Sequence, residues 1–153
     1  MQRHEIGAWL EGPGAGLDHD ADEGYRGQRL GLPERGPGSL ARIGRRIAAL
    51  VVDWFASMLV TLLFLPWAAD AFGLVNLAVF TAEVLLGTVL GGASFGHRVA
   101  RLRVLDLRTG RPPRLGPAAV RTVLLALAVP PLVWDRDGRG LHDKIARTVV
   151  VNA

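Results

Sequence analysis

The chain has 153 residues and contains no cysteine. This absence excludes disulfide bonds, thiolate nucleophiles and cysteine-based metal sites. The four histidines lie far apart along the chain, at His4, His19, His97 and His142. None of them has an i,i+4 histidine partner, so we expect no metal site, and nothing in the sequence calls for a cofactor.

Catalytic motifs are also scarce. The only serines are Ser39, Ser57 and Ser94, and none of them stands in a nucleophile-elbow sequence. The glycine-rich stretch "GGASFGHR" lacks the Gly-Lys-Ser/Thr of a phosphate-binding loop. Because that stretch follows an apolar segment, we expect it to form a helix-ending turn. The sequence therefore predicts a protein that is not an enzyme.

Residues 1–40 differ in composition from the rest of the chain. They hold seven acidic residues against four arginines, together with nine of the nineteen glycines. Such a segment buries little apolar surface, so residues 1–38 are predicted to be a mostly disordered tail before a membrane domain at 39–153. The exception is "RLGLPERGPGS", whose Leu30 and Leu32, with Leu40 just beyond, are expected to lie on the bilayer surface or on the protein.

The remaining residues, 41–153, are basic, with fourteen Lys and Arg against seven acids. A basic excess can indicate a nucleic-acid partner, but here the arginines flank apolar segments instead of filling one amphipathic face. Flanking arginine is typical of the cytoplasmic loops of membrane proteins. We therefore expect the lipid bilayer as the partner, and no nucleic acid.

Two apolar segments are long enough to span a membrane. The first helix is predicted over 39–67 with Ser39 as its N-cap, and the 23 residues 47–69 carry one charge. The second is predicted over 72–93, where Glu83 is the only charged residue. Each can cross a hydrocarbon core of roughly 30 Å. Their short connection predicts an antiparallel hairpin of two transmembrane helices.

A third apolar segment, residues 117–134, is shorter and is interrupted by Pro130 and Pro131. Arginines precede the first helix and follow the second, so the N-terminus and the loop after the second helix are predicted to be cytoplasmic. If the third segment spans, the basic C-terminal residues lie outside, against this rule. If it is re-entrant or interfacial, they stay inside, and we prefer this second alternative.

Two stretches flanking this segment resemble β-strands. Residues Leu102–Leu107 precede a Thr109-Gly110 turn, and Thr148–Val151 is a run of β-branched residues. Their pairing would form a small cytoplasmic β-unit. The predicted fold is thus an all-α membrane protein, in which a transmembrane hairpin and a third short apolar helix accompany this β-unit.

The two long helices carry charged side chains at membrane depth. Asp53 lies two turns after Arg46 on nearly the same face, and helical side chains lean toward the N-terminus, so these two are not expected to pair. Asp53 and Glu83 differ in predicted depth by about one turn and could line one cavity. Arg121 is the expected charge partner of Asp53. Either this pair only fixes helix packing, or Asp53 and Glu83 bind a cation or proton.

Two further features are candidates for packing and pairing. Gly87 and Gly91 form a G-x-x-x-G motif on the face of Glu83, which favours the close approach of another helix. Asp143 lies in the polar stretch after the third segment. We expect it to cap a helix end or to pair with an arginine such as Arg46 or Arg98.

These residues resemble the RDD family of small bacterial membrane proteins, named for one arginine and two aspartates. Arg46, Asp53 and Asp143 match the three motif positions. The stretches "RLGLPERGPGSLARIGRRIAALVVDW", "GASFGHRVARLRVLDLRTG" and the single Arg121 strengthen the likeness, which covers residues 30–151. The third segment is shorter than in many members. The resemblance implies a multi-pass protein of the plasma membrane, with transport of an unidentified ligand or cation/proton exchange as suggested activities.

Two functions are compatible with these features. The first is a transport component, which must form a homo-oligomer or join a membrane partner because two or three helices cannot enclose a sealed pathway. The second is a non-transporting adaptor or scaffold subunit, whose β-unit and basic loop bind proteins or anionic lipids.

Overall fold

A computed structural model of the protein describes residue 25 and residues 27–127 and 140–153. A short 3-10 turn at Gln28–Leu30 precedes the regular elements. These are α1 (Ile43–Leu62), α2 (Phe72–Gly91), α3 (Phe95–Val99), β1 (Leu102–Asp106), α4 (Leu115–Ala126), α5 (Leu141–Ile145) and β2 (Thr148–Asn152). The N-terminal part of the predicted tail and residues 128–134 of the third apolar segment lie outside the described residues.

Helix α1 is shorter than predicted at both ends. Arg42 occupies its N-cap position. Ser39 has a different role: its hydroxyl donates to the Gly36 carbonyl at 2.6 Å and accepts from the Asn152 amide at 2.8 Å. Ser39 thus joins the segment before α1 to the end of β2. At the other end the helix stops at Leu62, five residues before the predicted Trp67.

The buried face of α1 is polar, and its outer face is apolar. The buried residues are Arg46, Ala49, Asp53, Ser57 and Thr61, which recur every three or four positions. The large apolar side chains on the other faces are exposed: Ile47, Val51, Trp54, Phe55, Leu59 and Val60. This distribution is the reverse of that of an amphipathic helix on the surface of a protein in water.

Among the described helices, α2 is the one that is long and apolar enough to cross a membrane, judged by length and composition alone. Two such helices were predicted. Although α1 has the same length, it carries Arg45, Arg46 and Asp53 within its twenty residues. The two helices pack on each other: the Thr61 hydroxyl is 3.3 Å from the Asn76 side-chain oxygen, and the rings of Trp54 and Phe80 meet edge to face.

The strand pairing follows the prediction. β1 and β2 form an antiparallel two-stranded sheet in which Leu102 is opposite Asn152 and Asp106 is opposite Thr148. The segment before α1 joins this sheet, since the Ala41 amide donates to the Val150 carbonyl at 3.0 Å. Leu30 and Leu32 pack against the outer face of β2. Of the two locations expected for these leucines, they therefore occupy the one on the protein.

Two helix–strand units repeat along the chain. Helices α3 and α5 have five residues each, and each leads through an Ala-Arg pair into a strand of five residues. The arginines, Arg101 and Arg147, both have the left-handed backbone conformation, with φ of 52° and 54°. Val104 and Val150 are opposite each other at the centre of the sheet. An approximate twofold axis therefore relates the two units, which were not recognised as a repeat in the sequence.

Candidate functional site

Two carboxylates of the long helices bind the N-terminus of α3. The Phe95 amide donates to Oε1 of Glu83 at 2.6 Å, and the Gly96 amide donates to Oδ1 of Asp53. The His97 amide donates to the hydroxyl of Ser94, the N-cap residue, at 3.2 Å. The first amides of a helix have no partners within the helix and favour negative charge. Asp53 and Glu83 thus fix α3 against α1 and α2.

Glycines permit this close packing. A Cβ atom at Gly96 would overlap the carbonyl oxygen of Ala49 and lie 2.8 Å from Cγ of Asp53. A Cβ atom at Gly87 would lie 2.8 Å from the carbonyl oxygen of Ala93 and 2.9 Å from Cα of the next residue. α3 and the turn before it can therefore reach the two carboxylates only if both positions are glycine.

The G-x-x-x-G motif of α2 lies against α3 and the turn before it. Gly87 accommodates the turn at Ala93 and Ser94, and a Cβ at Gly91 would lie 2.5 Å from the guanidinium of Arg98 in α3. This face was expected to favour the close approach of another helix, and within the described residues the chain itself folds back onto it. The sequence signal for that return was Gly92, which takes the left-handed conformation after α2, followed by a Ser N-cap.

Ser94 joins Asp53 to a histidine. Its hydroxyl donates to Oδ2 of Asp53 at 2.6 Å and lies 2.5 Å from Nδ1 of His97. Burial lowers the pKa of His97 below its usual value, Arg121 acts in the same direction and Asp53 opposes them. The lowered pKa favours the neutral form of His97. Sequence reasoning included neither Ser94 nor His97 among the site residues.

Glu83 borders a groove between α1 and α2. The groove has a volume of about 560 Å³ and is lined by Ala56, Ser57, Val60 and other small or apolar side chains. Oε2 of Glu83 is buried and has no hydrogen-bond partner among the described residues. Glu83 also interacts electrostatically with Asp53. The two carboxylates predicted to line one cavity are therefore neighbours, and of the two Glu83 lines this groove.

A second charged cluster lies at the start of α1. Arg121 Nε donates to Oδ1 of Asp143 at 2.8 Å, and Arg46 Nη1 donates to Oδ2 at 3.3 Å. The Thr148 hydroxyl adds a contact of 3.2 Å to Oδ1. Burial alone would raise the pKa of Asp143, but Arg121, His142 and Arg46 together lower it to about 2.

The predicted Asp53–Arg121 pair is wrong. Arg121 binds Asp143, and in the described chain Asp53 accepts its hydrogen bonds from Ser94 and Gly96. The cause lies in α5, which brings a second carboxylate to α4, while α3 occupies both oxygens of Asp53. Of the arginines expected for Asp143, the structure brings Arg46 to it.

The carboxylates Asp53 and Glu83, together with Ser94 and His97, form the first cluster. A cavity of about 310 Å³ is lined by residues of this cluster and of the second one. Its polar lining includes Arg46, Arg121 and Asp143 from the second cluster and His97 from the first. The lining also includes apolar residues of α1, α4 and β2: Ile43, Ile47, Leu50, Leu125 and Val150. All three motif residues thus lie at or beside one cavity, since Asp53 contacts His97 through Ser94.

Comparisons with known proteins assign the chain to a family. No curated protein and no solved structure matches the chain significantly. The model of the RDD family, a membrane-associated family of unsettled function, matches residues 40–147, which include Arg46, Asp53 and Asp143. Because the match covers more than half of the sequence, the chain belongs to the RDD family.

Proposed function

We propose that this chain is an integral membrane protein in which α1 and α2 cross the bilayer as an antiparallel hairpin. The polar side chains of α1 face the protein, and its large apolar side chains are exposed. The apolar window of α2 is only 22% buried. The core helix of a soluble protein is mostly buried, so an exposed apolar surface of this extent favours a lipid environment.

The sheet supports a topology with both ends of the domain on one side. β1 follows α3, and β2 follows α5, yet the two strands pair with each other and with the segment before α1. Because the residues before and after the segment 117–134 meet in one sheet, we propose the re-entrant or interfacial alternative for this segment. The flanking arginines favour the cytoplasmic side of the plasma membrane. A reporter fused after Ala153 should give a cytoplasmic signal, and an external signal would contradict this topology.

We further propose that the chain is a component of a cation/proton transport system. The observation that carries this proposal is the row Glu83, Asp53, Ser94 and His97. It begins at the groove between α1 and α2 and ends at the cavity beside Arg121. Each member can take up or pass on a proton, and intramembrane ionisable residues commonly mark ion pathways.

Proton transfer along the row needs no rearrangement of the backbone. A proton that binds Nε2 of His97 lets the ring release its Nδ1 proton to Ser94, which passes its own proton to Asp53. The charge moves from the histidine to the carboxylate, and each oxygen and nitrogen remains hydrogen-bonded. In this row the serine stands between the aspartate and the histidine, whereas the histidine is central in a nucleophilic triad. We therefore propose no hydrolytic activity.

The pathway must be completed by another subunit. Two crossing helices cannot surround a route for ions, and Glu83 borders a groove that opens on the outside of the helix pair. The Gly87 face is filled by the chain itself, so we propose this groove, beside Ala56 and Val60, as the surface for a second copy or a membrane partner.

Vesicle flux tests the transport proposal. The purified protein is reconstituted in vesicles, and proton-coupled Na⁺, K⁺ or Li⁺ flux is compared with that of Asp53→Asn and Glu83→Gln. Both variants keep an oxygen that can accept the hydrogen bond of α3 but lose the ionisable group. Asp70→Asn, an exposed position between α1 and α2, is the matched control. We expect flux with the wild type and the control only. No flux in the wild type, or equal flux in all four proteins, contradicts the proposal.

An adaptor remains the second candidate, and one observation favours it. Asp53 and Glu83 both cap α3, so their charges have a structural role even if no ion moves. The exposed Arg108, Arg111 and Arg114 lie beyond β1, where proteins or anionic lipids can reach them. If this function is correct, replacing these three arginines by glutamate removes a pull-down partner, and Asp53→Asn lowers protein abundance.

A further inference from the structure

The cavity between α1 and α4 contains a buried cation with unused hydrogen-bonding capacity. Arg121 is 2% exposed, and its Nη1 has no hydrogen-bond partner among the described residues. Its Nε is used by Asp143, which also accepts from Arg46 and Thr148. A buried guanidinium donor without an acceptor is unfavourable, so an additional acceptor in the cavity would stabilise the site.

The charges of the cavity indicate the sign of that acceptor. Arg46 and Arg121 contribute two positive charges, and Asp143 contributes one negative charge. His97 is neutral at pH 7, because burial lowers its pKa. His142 also lines the cavity, next to Asp143, so the described part of the lining has a net positive charge. A guanidinium group binds phosphate through parallel hydrogen bonds, and phosphate has several acceptor oxygens.

The rest of the cavity indicates what is attached to the anion. Ile43, Ile47, Leu50 and Leu125 form an apolar wall beside the charged cluster. Ile47 is 50% exposed, so this wall reaches the outer surface of α1. It lies in the first turns of α1, next to Arg46, at the level of the lipid headgroups in the proposed topology. An acyl chain can therefore lie on this wall while its headgroup enters the cavity.

We propose that this cavity binds the phosphate of an anionic membrane lipid, with Arg121 as the residue that binds the anion. The proposal concerns the second cluster and does not depend on ion movement through Asp53. A free phosphate has the same anionic chemistry but no use for the apolar wall. The two sources can therefore be distinguished by variants of that wall.

Native mass spectrometry of the full-length protein in detergent provides the test. The protein is titrated with phosphatidylglycerol and with phosphatidylcholine, and Arg121→Lys and Ile47→Trp are compared with the wild type. Val51→Trp is the matched control, because Val51 lies one turn further along α1, is 46% exposed and does not line the cavity. Ile47→Trp fills the cavity mouth without removing a charge, so it tests the proposal even if Arg121→Lys fails to fold.

We expect phosphatidylglycerol to bind more tightly than phosphatidylcholine. Arg121→Lys should weaken its binding by about tenfold, the loss expected for one charge-assisted hydrogen bond. Ile47→Trp should also weaken its binding, because the larger side chain occupies the place of the acyl chain, and Val51→Trp should not. Equal binding of the two lipids, or unchanged binding in both cavity variants, overturns the proposal. Inorganic phosphate is titrated separately. If it displaces phosphatidylglycerol and binds Ile47→Trp as well as the wild type, the site takes free phosphate and the lipid assignment is overturned.

Discussion

Replacing Gly96 by alanine should detach α3 from α1. The added Cβ would overlap the carbonyl oxygen of Ala49 and lie 2.8 Å from both the Ala49 carbonyl carbon and Cγ of Asp53. The overlapping atoms belong to the backbone of a long helix and to a buried carboxylate, so no flexible side-chain end can move aside. To relieve the overlap, the N-terminus of α3 must move away and break the hydrogen bond between the Gly96 amide and Asp53.

The expected cost follows from these two effects. Overpacking of this kind costs about 1–3 kcal/mol, and a hydrogen bond to a charged group is worth about 1.5–3 kcal/mol. We expect Gly96→Ala to lower the stability by about 3 kcal/mol or more. Gly44→Ala is the matched control, because Gly44 lies in α1 with no atom within 4 Å of an added Cβ. Alanine favours a helix over glycine by about 1 kcal/mol, so this control should be at least as stable as the wild type.

Thermal unfolding in detergent, followed by tryptophan fluorescence and by size-exclusion chromatography, measures the difference. Gly96→Ala should unfold at a clearly lower temperature than Gly44→Ala. If the two variants unfold together, α3 does not pack against Asp53 as described, and the row from Asp53 to His97 loses its structural basis.

Three further predictions concern the second cluster and the sheet. Asp143→Asn leaves the cations Arg46 and Arg121 without their buried counter-charge, and it should destabilise the protein by about 3–5 kcal/mol in chemical unfolding. The pKa of Asp143 is lowered from 3.8 to about 2 on folding, so its ionisation stabilises the fold above pH 4. About 2 kcal/mol of stability should be lost as the pH falls from about 4 to about 2. Asp143→Asn lacks this ionisation, so an equal loss of stability in the wild type and in Asp143→Asn over this pH range would refute the prediction. Leu102→Ala, at a buried position of the sheet, should cost about 2–5 kcal/mol, whereas Leu115→Ala, which is 63% exposed, should cost less than about 0.5 kcal/mol in the same unfolding assay.

The sequence was sufficient for features that depend on local pattern. The β-branched run at 148–151 and the stretch at 102–107 predicted both strands, and their predicted pairing is confirmed although α4 and α5 lie between them in the sequence. The placement of Arg46 and Asp53 on nearly the same face of α1 was correct because residues seven positions apart lie two helical turns from each other. The motif residues Arg46, Asp53 and Asp143 were identified because their order and neighbouring sequence resemble the family.

Partners in three dimensions were harder to predict. Arg121 was assigned to Asp53 because no other buried carboxylate was foreseen near α4, yet α5 brings Asp143 there. Ser94 was passed over because α3 has five residues, too few for a hydrophobic period to show. The similarity of the stretches around Arg101 and Arg147 was the available signal for the repeated unit, and it is carried by few identical residues.

The measurement that tests the account most directly compares two buried serines in the vesicle flux assay. Ser94 donates to the Asp53 carboxylate, whereas Ser57 donates to the main-chain oxygen of the same residue at 2.8 Å. Flux is divided by the amount of folded protein, because Ser94→Ala also removes the N-cap of α3 and so lowers the stability of the fold. We predict that Ser94→Ala reduces proton-coupled flux by about tenfold or more, since positioned proton transfer contributes at least this much, and that Ser57→Ala retains most of it. Equal flux in the two variants would contradict the proposal that protons pass from His97 to Asp53.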